Sequence, residues 1–267
     1  MKRSLSVAGL VIAFSLPFAK AAPIFSEYFD YENGPLTTVS GGLWYKHDTS
    51  AGVQQLQVEN GQARLLFNSA EDVARNLDQN YSSGTLFYST VLTMTTLPGT
   101  GGAYFMHLGD TDSGVDTDFF ARLFVKAVGS GYQIGIRNRS LQENPSDYPV
   151  VYDDSVTLEL NTAVAVVVKF DFETLQSTLW INPVDESSHS VTDTFEVAFA
   201  GLDQSLSRIA LRQASGIGNS LIDQISVGTT FEDVFVAVPE PATLVLIGLG
   251  AAGLLARAVR RRNGISG

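Results

Sequence analysis

Arg122, Phe124 and Lys126 stand at alternate positions in one run of this sequence, and Gln133, Gly135, Arg137 and Arg139 do so in the next. Successive side chains of an extended chain point to opposite faces, so a hairpin turning at Gly129-Ser130-Gly131 gathers these cations on one side. A bulge at that turn would move half of them to the other face. Trp180 falls on the polar side of its own run with Thr178 and Asn182, while Leu179 and Ile181 point the other way. Arginines beside an open tryptophan suit an acidic sugar, whose ring stacks on the indole while its carboxylate pairs with the guanidinium. The expected ligand-facing set is therefore Arg122, Lys126, Arg137, Arg139 and Trp180.

A second run is acidic. Asp110, Asp112, Asp116 and Asp118 lie within ten residues around Gly114. Calcium takes six to eight oxygens from a flexible loop, which Asp-x-Asp-x-Gly supplies at workable spacing, although no Glu stands at the twelfth position of an EF-hand loop. A solvated acidic turn between two strands is the alternative. His47, His107 and His189 are far apart and have no Gly-x-Ser-x-Gly motif near them, so they read as surface or strand-end residues. No catalytic residues are assigned. The chain has no cysteine, which excludes thiolate metal sites and cysteine nucleophiles. Its net charge is −11. Both ends are net positive, so the middle is more acidic still and repels phosphate backbones, which argues against nucleic acid as the main partner.

The elements that must position these residues are strands. From Pro23 to Val236 the chain shows little helical periodicity and many short runs of β-branched and aromatic residues punctuated by Gly, Asn, Asp and Ser. Gln54 to Phe67 reads as two strands around Asn60-Gly61, a two-residue hairpin signal. Phe119 to Ile136 and Ala163 to Ile181 read as further hairpins, and Thr85 to Leu97, Ala103 to Leu108, Phe195 to Ala198 and Leu206 to Leu211 as further strands. Ten to fourteen strands over one stretch of this length predict a single all-β sandwich.

The two ends read as addresses. Lys2 and Arg3 precede the apolar run Leu10 to Phe14, and Ala19-Lys20-Ala21 closes it as a small-x-small cleavage signal, predicting a signal peptide over 1–21. At the other end Val238-Pro239-Glu240-Pro241 leads into an uncharged apolar stretch and then Arg257, Arg260, Arg261 and Arg262. These three parts in order resemble the PEP-CTERM sorting signal of Gram-negative bacteria. The resemblance implies a domain division of 1–21, 22–236 and 237–262, with a single transmembrane helix at about 243–259 and an Arg-rich tail. It also implies recognition of Val238, Pro239, Glu240 and Pro241 by an exosortase as processing partner, brief residence in the inner membrane, and delivery to the cell surface or extracellular matrix.

A second resemblance rests on Leu221 to Val234, with its Ile-Asp-x-Ile-x-Val-Gly-Thr-Thr pattern, on Glu27-Tyr28-Phe29-Asp30-Tyr31 with Gly41-Gly42-Leu43-Trp44, and on Thr178 to Pro183. Together these are similar to concanavalin A-like, laminin-G-type jelly rolls of bacterial surface proteins. Related jelly rolls hold a structural calcium ion where first and last strands meet, which makes Asp30 and Asp223 the second candidate pair for that cofactor. A glycan-cleaving enzyme of laminarinase type on this fold would carry Glu-x-Asp-x-x-Glu on one strand, and no Glu-x-Asp occurs here. The expectation is a non-enzymatic exported protein, of biofilm or matrix type, that binds or structures acidic exopolysaccharide. A structural or adhesive coat protein without glycan binding is the alternative, and a glycan-cleaving enzyme comes third.

Overall fold

A computed structural model describes residues 22–47, 54–110, 119–138, 149–193 and 205–235. In chain order the strands are β1 (Phe25–Glu27), β2 (Gly34–Pro35), β3 (Tyr45–Lys46), β4 (Gln57–Glu59), β5 (Gln62–Leu65), β6 (Asp72–Tyr81), β7 (Thr85–Met94) and β8 (Ala103–Gly109). They continue with β9 (Phe119–Val128), β10 (Gly131–Arg137), β11 (Val151–Tyr152), β12 (Ala163–Asp171), β13 (Gln176–Ile181), β14 (Ser190–Asp193), β15 (Leu206–Arg212) and β16 (Ser220–Gly228). Two single-turn helices, α1 (Leu36–Val39) and α2 (Phe231–Val234), complete the described chain.

The strands form two sheets. One runs β14-β13-β12-β7-β16-β5-β4-β2, with β1 also paired to β16, and the other runs β11-β10-β9-β8-β15-β6-β3. Every pair is antiparallel. The protein is thus the all-β sandwich that the strand pattern predicts, of the jelly-roll kind that the second resemblance implies, with sixteen strands among the described residues rather than ten to fourteen. The strands not read from sequence are the ten-residue β6, whose Asp72 to Tyr81 run mixes polar and apolar residues without clean alternation, the four-residue β14, and the two- to three-residue pieces β1, β2, β3 and β11.

Alternation decides what lies between the sheets. Val164, Val166, Val168 and Phe170 of β12 and Leu86, Tyr88 and Leu92 of β7 face Leu123 and Val125 of β9, Ile134 and Ile136 of β10, and Ile209 and Leu211 of β15. The Asn60-Gly61 hairpin forms as read. Asn60 and Gly61 both take positive φ (53° and 77°) between β4 and β5, the geometry a primed two-residue turn requires.

The outer face of the larger sheet is covered as well. Phe87, Val167 and Trp180 form a second apolar cluster beneath Phe231 and Val234 of α2. Thr230 caps α2 by accepting from the Asp233 amide, while the Asp233 carboxylate accepts from the Thr230 amide, a reciprocal capping box. This helix corrects the all-strand reading of the segment. Nothing longer than a single turn is helical among the described residues, so none of those helices crosses a membrane. The expected span at 243–259, the signal peptide with Ala19 and Ala21, and the expected strand at 195–198 all lie outside the described residues.

Candidate functional site on the outer face of the seven-stranded sheet

The β9–β10 hairpin is paired without a slip from Gly131 opposite Val128 to Arg137 opposite Arg122. Gly129 (φ 59°) absorbs the turn, so no bulge separates the two strands' faces. Leu123, Val125, Ile134 and Ile136 enter the core, and Arg122, Phe124, Lys126, Gln133 and Arg137 therefore project from the opposite side. Just before Arg122 the strand is irregular. Ala121 takes φ 48° and the β8 register shifts twice alongside it, so Phe120 and Ala121 both face the core and Arg122 still turns outward.

Neighbouring strands extend this face. Tyr104 and His107 come from β8, Arg208 and Arg212 from β15, and Tyr152 from β11. Phe119 and Phe124 pack with Tyr104 into an apolar cluster separate from the core. The Tyr104 ring lies 5.6 Å from Phe124 and 5.7 Å from His107, and His107 lies 4.2 Å from Phe119 and 5.8 Å from His47. Cations stack on these rings. Arg212 is 4.2 Å and Arg122 5.5 Å from the Tyr104 centroid, Arg137 is 5.2 Å from Phe124, and the Lys126 ammonium is 3.9 Å from Tyr152. Carboxylates stand at the margin: Asp154 is 3.6 Å from Lys126 and Asp72 3.6 Å from Arg212.

Burial sets the charge states. Desolvation, with the Arg137 charge added to it, pulls the Arg122 guanidinium down to about 9. His107 is held well below its ordinary 6.5, first by burial and then by His47, Arg208, Arg122 and Arg212, so its imidazole is neutral at neutral pH. Burial raises the Tyr104 phenol and Arg212 opposes that shift. The arrangement can neutralise an anion with guanidinium groups, stack a sugar ring on Tyr104, Phe124 or Tyr152, and offer a hydroxyl one neutral imidazole donor and acceptor.

The residues expected from sequence are distributed as follows. Arg122, Lys126 and Arg137 meet on this face, although Arg122 is fully buried rather than exposed. Arg139 lies outside the described residues. Trp180 is a correction: it sits on the other sheet and is 3% exposed, because α2 closes over it and its indole N–H donates to the Glu186 carbonyl. His107 is a second correction, being buried among aromatic rings rather than at the surface. Asp110 is buried just past β8, and Asp112, Asp116 and Asp118 lie outside the described residues. Asp30 is exposed, and Asp223 accepts a 3.4 Å contact from Gln62. Among the described residues no three His, Cys, Asp or Glu side chains converge as a metal site, so Asp30 and Asp223 have no such third ligand. Sequence reasoning missed Tyr104, Tyr152, Arg208 and Arg212. Arg208-Ile209-Ala210-Leu211-Arg212 does alternate, but nothing local says that β15 lies beside β8.

Val238, Pro239, Glu240, Pro241 and the arginines at 257, 260, 261 and 262 follow the described body. Residues 237–262 match the PEP-CTERM protein-sorting motif. The PEP-CTERM motif marks the chain for exosortase-sorted export, with membrane anchorage through its C-terminal region. No curated protein matches the chain. Among solved structures it is similar to the Emp46p carbohydrate recognition domain, at 11% identity and TM-score 0.48 over 80% of this chain and 98% of that one. Peanut lectin is similar at 12% identity and TM-score 0.43, over 76% and 95%. A family 7 alginate lyase is similar at 13% identity and TM-score 0.45, over 66% and 82%. These likenesses include sugar-binding modules and a lyase, and at such scores none of them says what the PEP-CTERM-bearing chain binds.

Proposed function

We propose that the sorted body is a non-enzymatic surface or matrix protein that binds acidic extracellular polysaccharide through the outer face of its seven-stranded sheet. One observation carries this reading. In a chain of net charge −11, Arg122, Lys126, Arg137, Arg208 and Arg212 share one sheet face, interleaved with Tyr104, Phe124 and Tyr152. Cations stacked on rings suit a polyanion whose units each carry a flat ring and a charge. Lys126, Arg137, Arg212 and Tyr152 are partly exposed and form the accessible part of this surface. Trp180, being covered, has no place in it.

The test is retention of the full-length chain, in mild detergent, on the producing organism's exopolysaccharide at rising salt, with and without calcium. Retention at low ionic strength that fades toward 0.5 M salt is the expected result. Replacing both Lys126 and Arg137 by Ser leaves folding intact and weakens retention roughly tenfold or more, since charge-assisted contacts contribute about 1.5–3 kcal/mol each. Self-association without retention would replace this reading by that of a structural coat protein. Release of shortened glycans would replace it by a catalytic one.

A further inference from the structure

Two buried side chains of this face lack hydrogen-bond partners. None of the three guanidinium nitrogens of Arg122 makes a hydrogen bond, nor does either ring nitrogen of His107. Both residues are fully buried and both lean on the Tyr104 ring, at 5.5 Å and 5.7 Å. An ionised guanidinium withdrawn from water without an acceptor is costly, and stacking on Tyr104 and Phe124 recovers only part of that cost. Among the described residues none accepts a hydrogen bond from Arg122. Arg137, directly across the strand pair, is a like charge, and Asp193 acts on Arg122 at a distance while its Oδ2 accepts from the Asn138 amide at 2.7 Å.

We infer that Arg122 and His107 together form a seat for a carboxylate flanked by a hydroxyl, the pair of groups that a uronic acid unit presents. The planar guanidinium fork takes a carboxylate through two parallel hydrogen bonds. The neutral imidazole has one donor and one acceptor, which a hydroxyl satisfies from either side. Tyr104 and Phe124, each 7% exposed, lie against the guanidinium and supply the stacking wall. Because both polar side chains are closed off from solvent, entry of the unit requires neighbouring side chains to move aside. This inference rests on the polysaccharide reading for the source of the uronic acid, and it names the chemical class that the face selects.

The experiment follows thermal unfolding of the full-length chain with sodium glucuronate, glucose, sodium acetate or sodium sulfate as probe. Glucuronate is expected to raise Tm by about 3 °C at a tenfold excess over its dissociation constant. Acetate raises it less, and glucose not at all. Arg122→Met removes a buried unpaired charge, so the variant unfolds no lower than the parent and does not respond to glucuronate. His107→Gln reduces the glucuronate response toward that of acetate. If Arg122→Met does not fold, the parent's ranking of the four probes decides alone. Sulfate acting as strongly as glucuronate, or no glucuronate response in the parent, overturns the seat. Polysaccharide retention that survives Arg122→Met with no glucuronate response removes the seat and leaves the polysaccharide reading standing. A glucuronate response that needs Arg122, without polysaccharide retention, keeps the seat and removes that reading.

Discussion

Glu27, at the end of β1, is buried and accepts hydrogen bonds from the Phe29 amide at 2.7 Å, the Tyr31 hydroxyl at 2.9 Å and the Trp44 indole at 2.9 Å. It also pairs with Arg75 of β6, so a single carboxylate joins the two sheets near the start of the described chain. Burial, then the hydrogen bond to Glu27, pushes the Tyr31 phenol up to about 12. Glu27→Gln keeps the shape but removes the charge that Arg75 faces, and a loss of about 3–5 kcal/mol in chemical denaturation is expected. His107 gives a pH dependence. Its folded value lies below the unfolded one, so its contribution is fully present above about pH 6.5 and is lost progressively as pH falls from there toward the folded value. The expected slope is at most about 1.4 kcal/mol per pH unit, and denaturation curves between pH 7 and 5 should show it in the parent and not in His107→Gln. The motifs at Glu27 and Trp44 are legible as two parts of one resemblance. Their hydrogen bond is not, because the sixteen residues between them include one single-turn helix and one two-residue strand with no periodic signal.

At the scale of elements, what could be read depended on sequence distance. The β9–β10 register, and with it the shared face of Arg122, Lys126 and Arg137, follows from alternation and a short turn, both local. The joining of β8 to β15, which brings Arg208 and Arg212 to that face, spans about a hundred residues and leaves no local trace. Trp180 shows a different limit. Alternation does place it on the side opposite Leu179, but whether that side meets water depends on α2, whose only signal is the capping pattern Thr230 to Asp233 at the end of a strand-like run. The helix sits directly on β16: a Cβ added at Gly228 would meet the Asp233 Cβ at 2.4 Å. Gly228→Ala is therefore expected to lift α2 and expose Trp180, giving a red shift of tryptophan emission that persists in a Trp44→Phe background. Trp180→Ala should lower stability by about 3–5 kcal/mol in chemical denaturation while leaving polysaccharide retention intact, the reverse of what an exposed sugar-stacking residue would do.

At the scale of the whole molecule, a cysteine-free exported sandwich stands on its core alone, without covalent staples. Its acidic surplus and its basic sheet face divide the surface into regions of opposite sign, so salt should weaken glycan retention well before it affects unfolding. The position of β16 carries a further consequence. This strand lies in the middle of the larger sheet, between β7 and β5, and also holds β1. A chain delivered amino end first offers β16 last, and until then β7, β12, β13 and β14 have no ladder to β5, β4 and β2. Closure must wait for residues 220–228, which emerge only some ten residues ahead of the sorting motif. The tether therefore reaches the membrane at about the moment the body becomes able to fold, so a chain released before Ser220 should stay protease-sensitive however long it is given to mature.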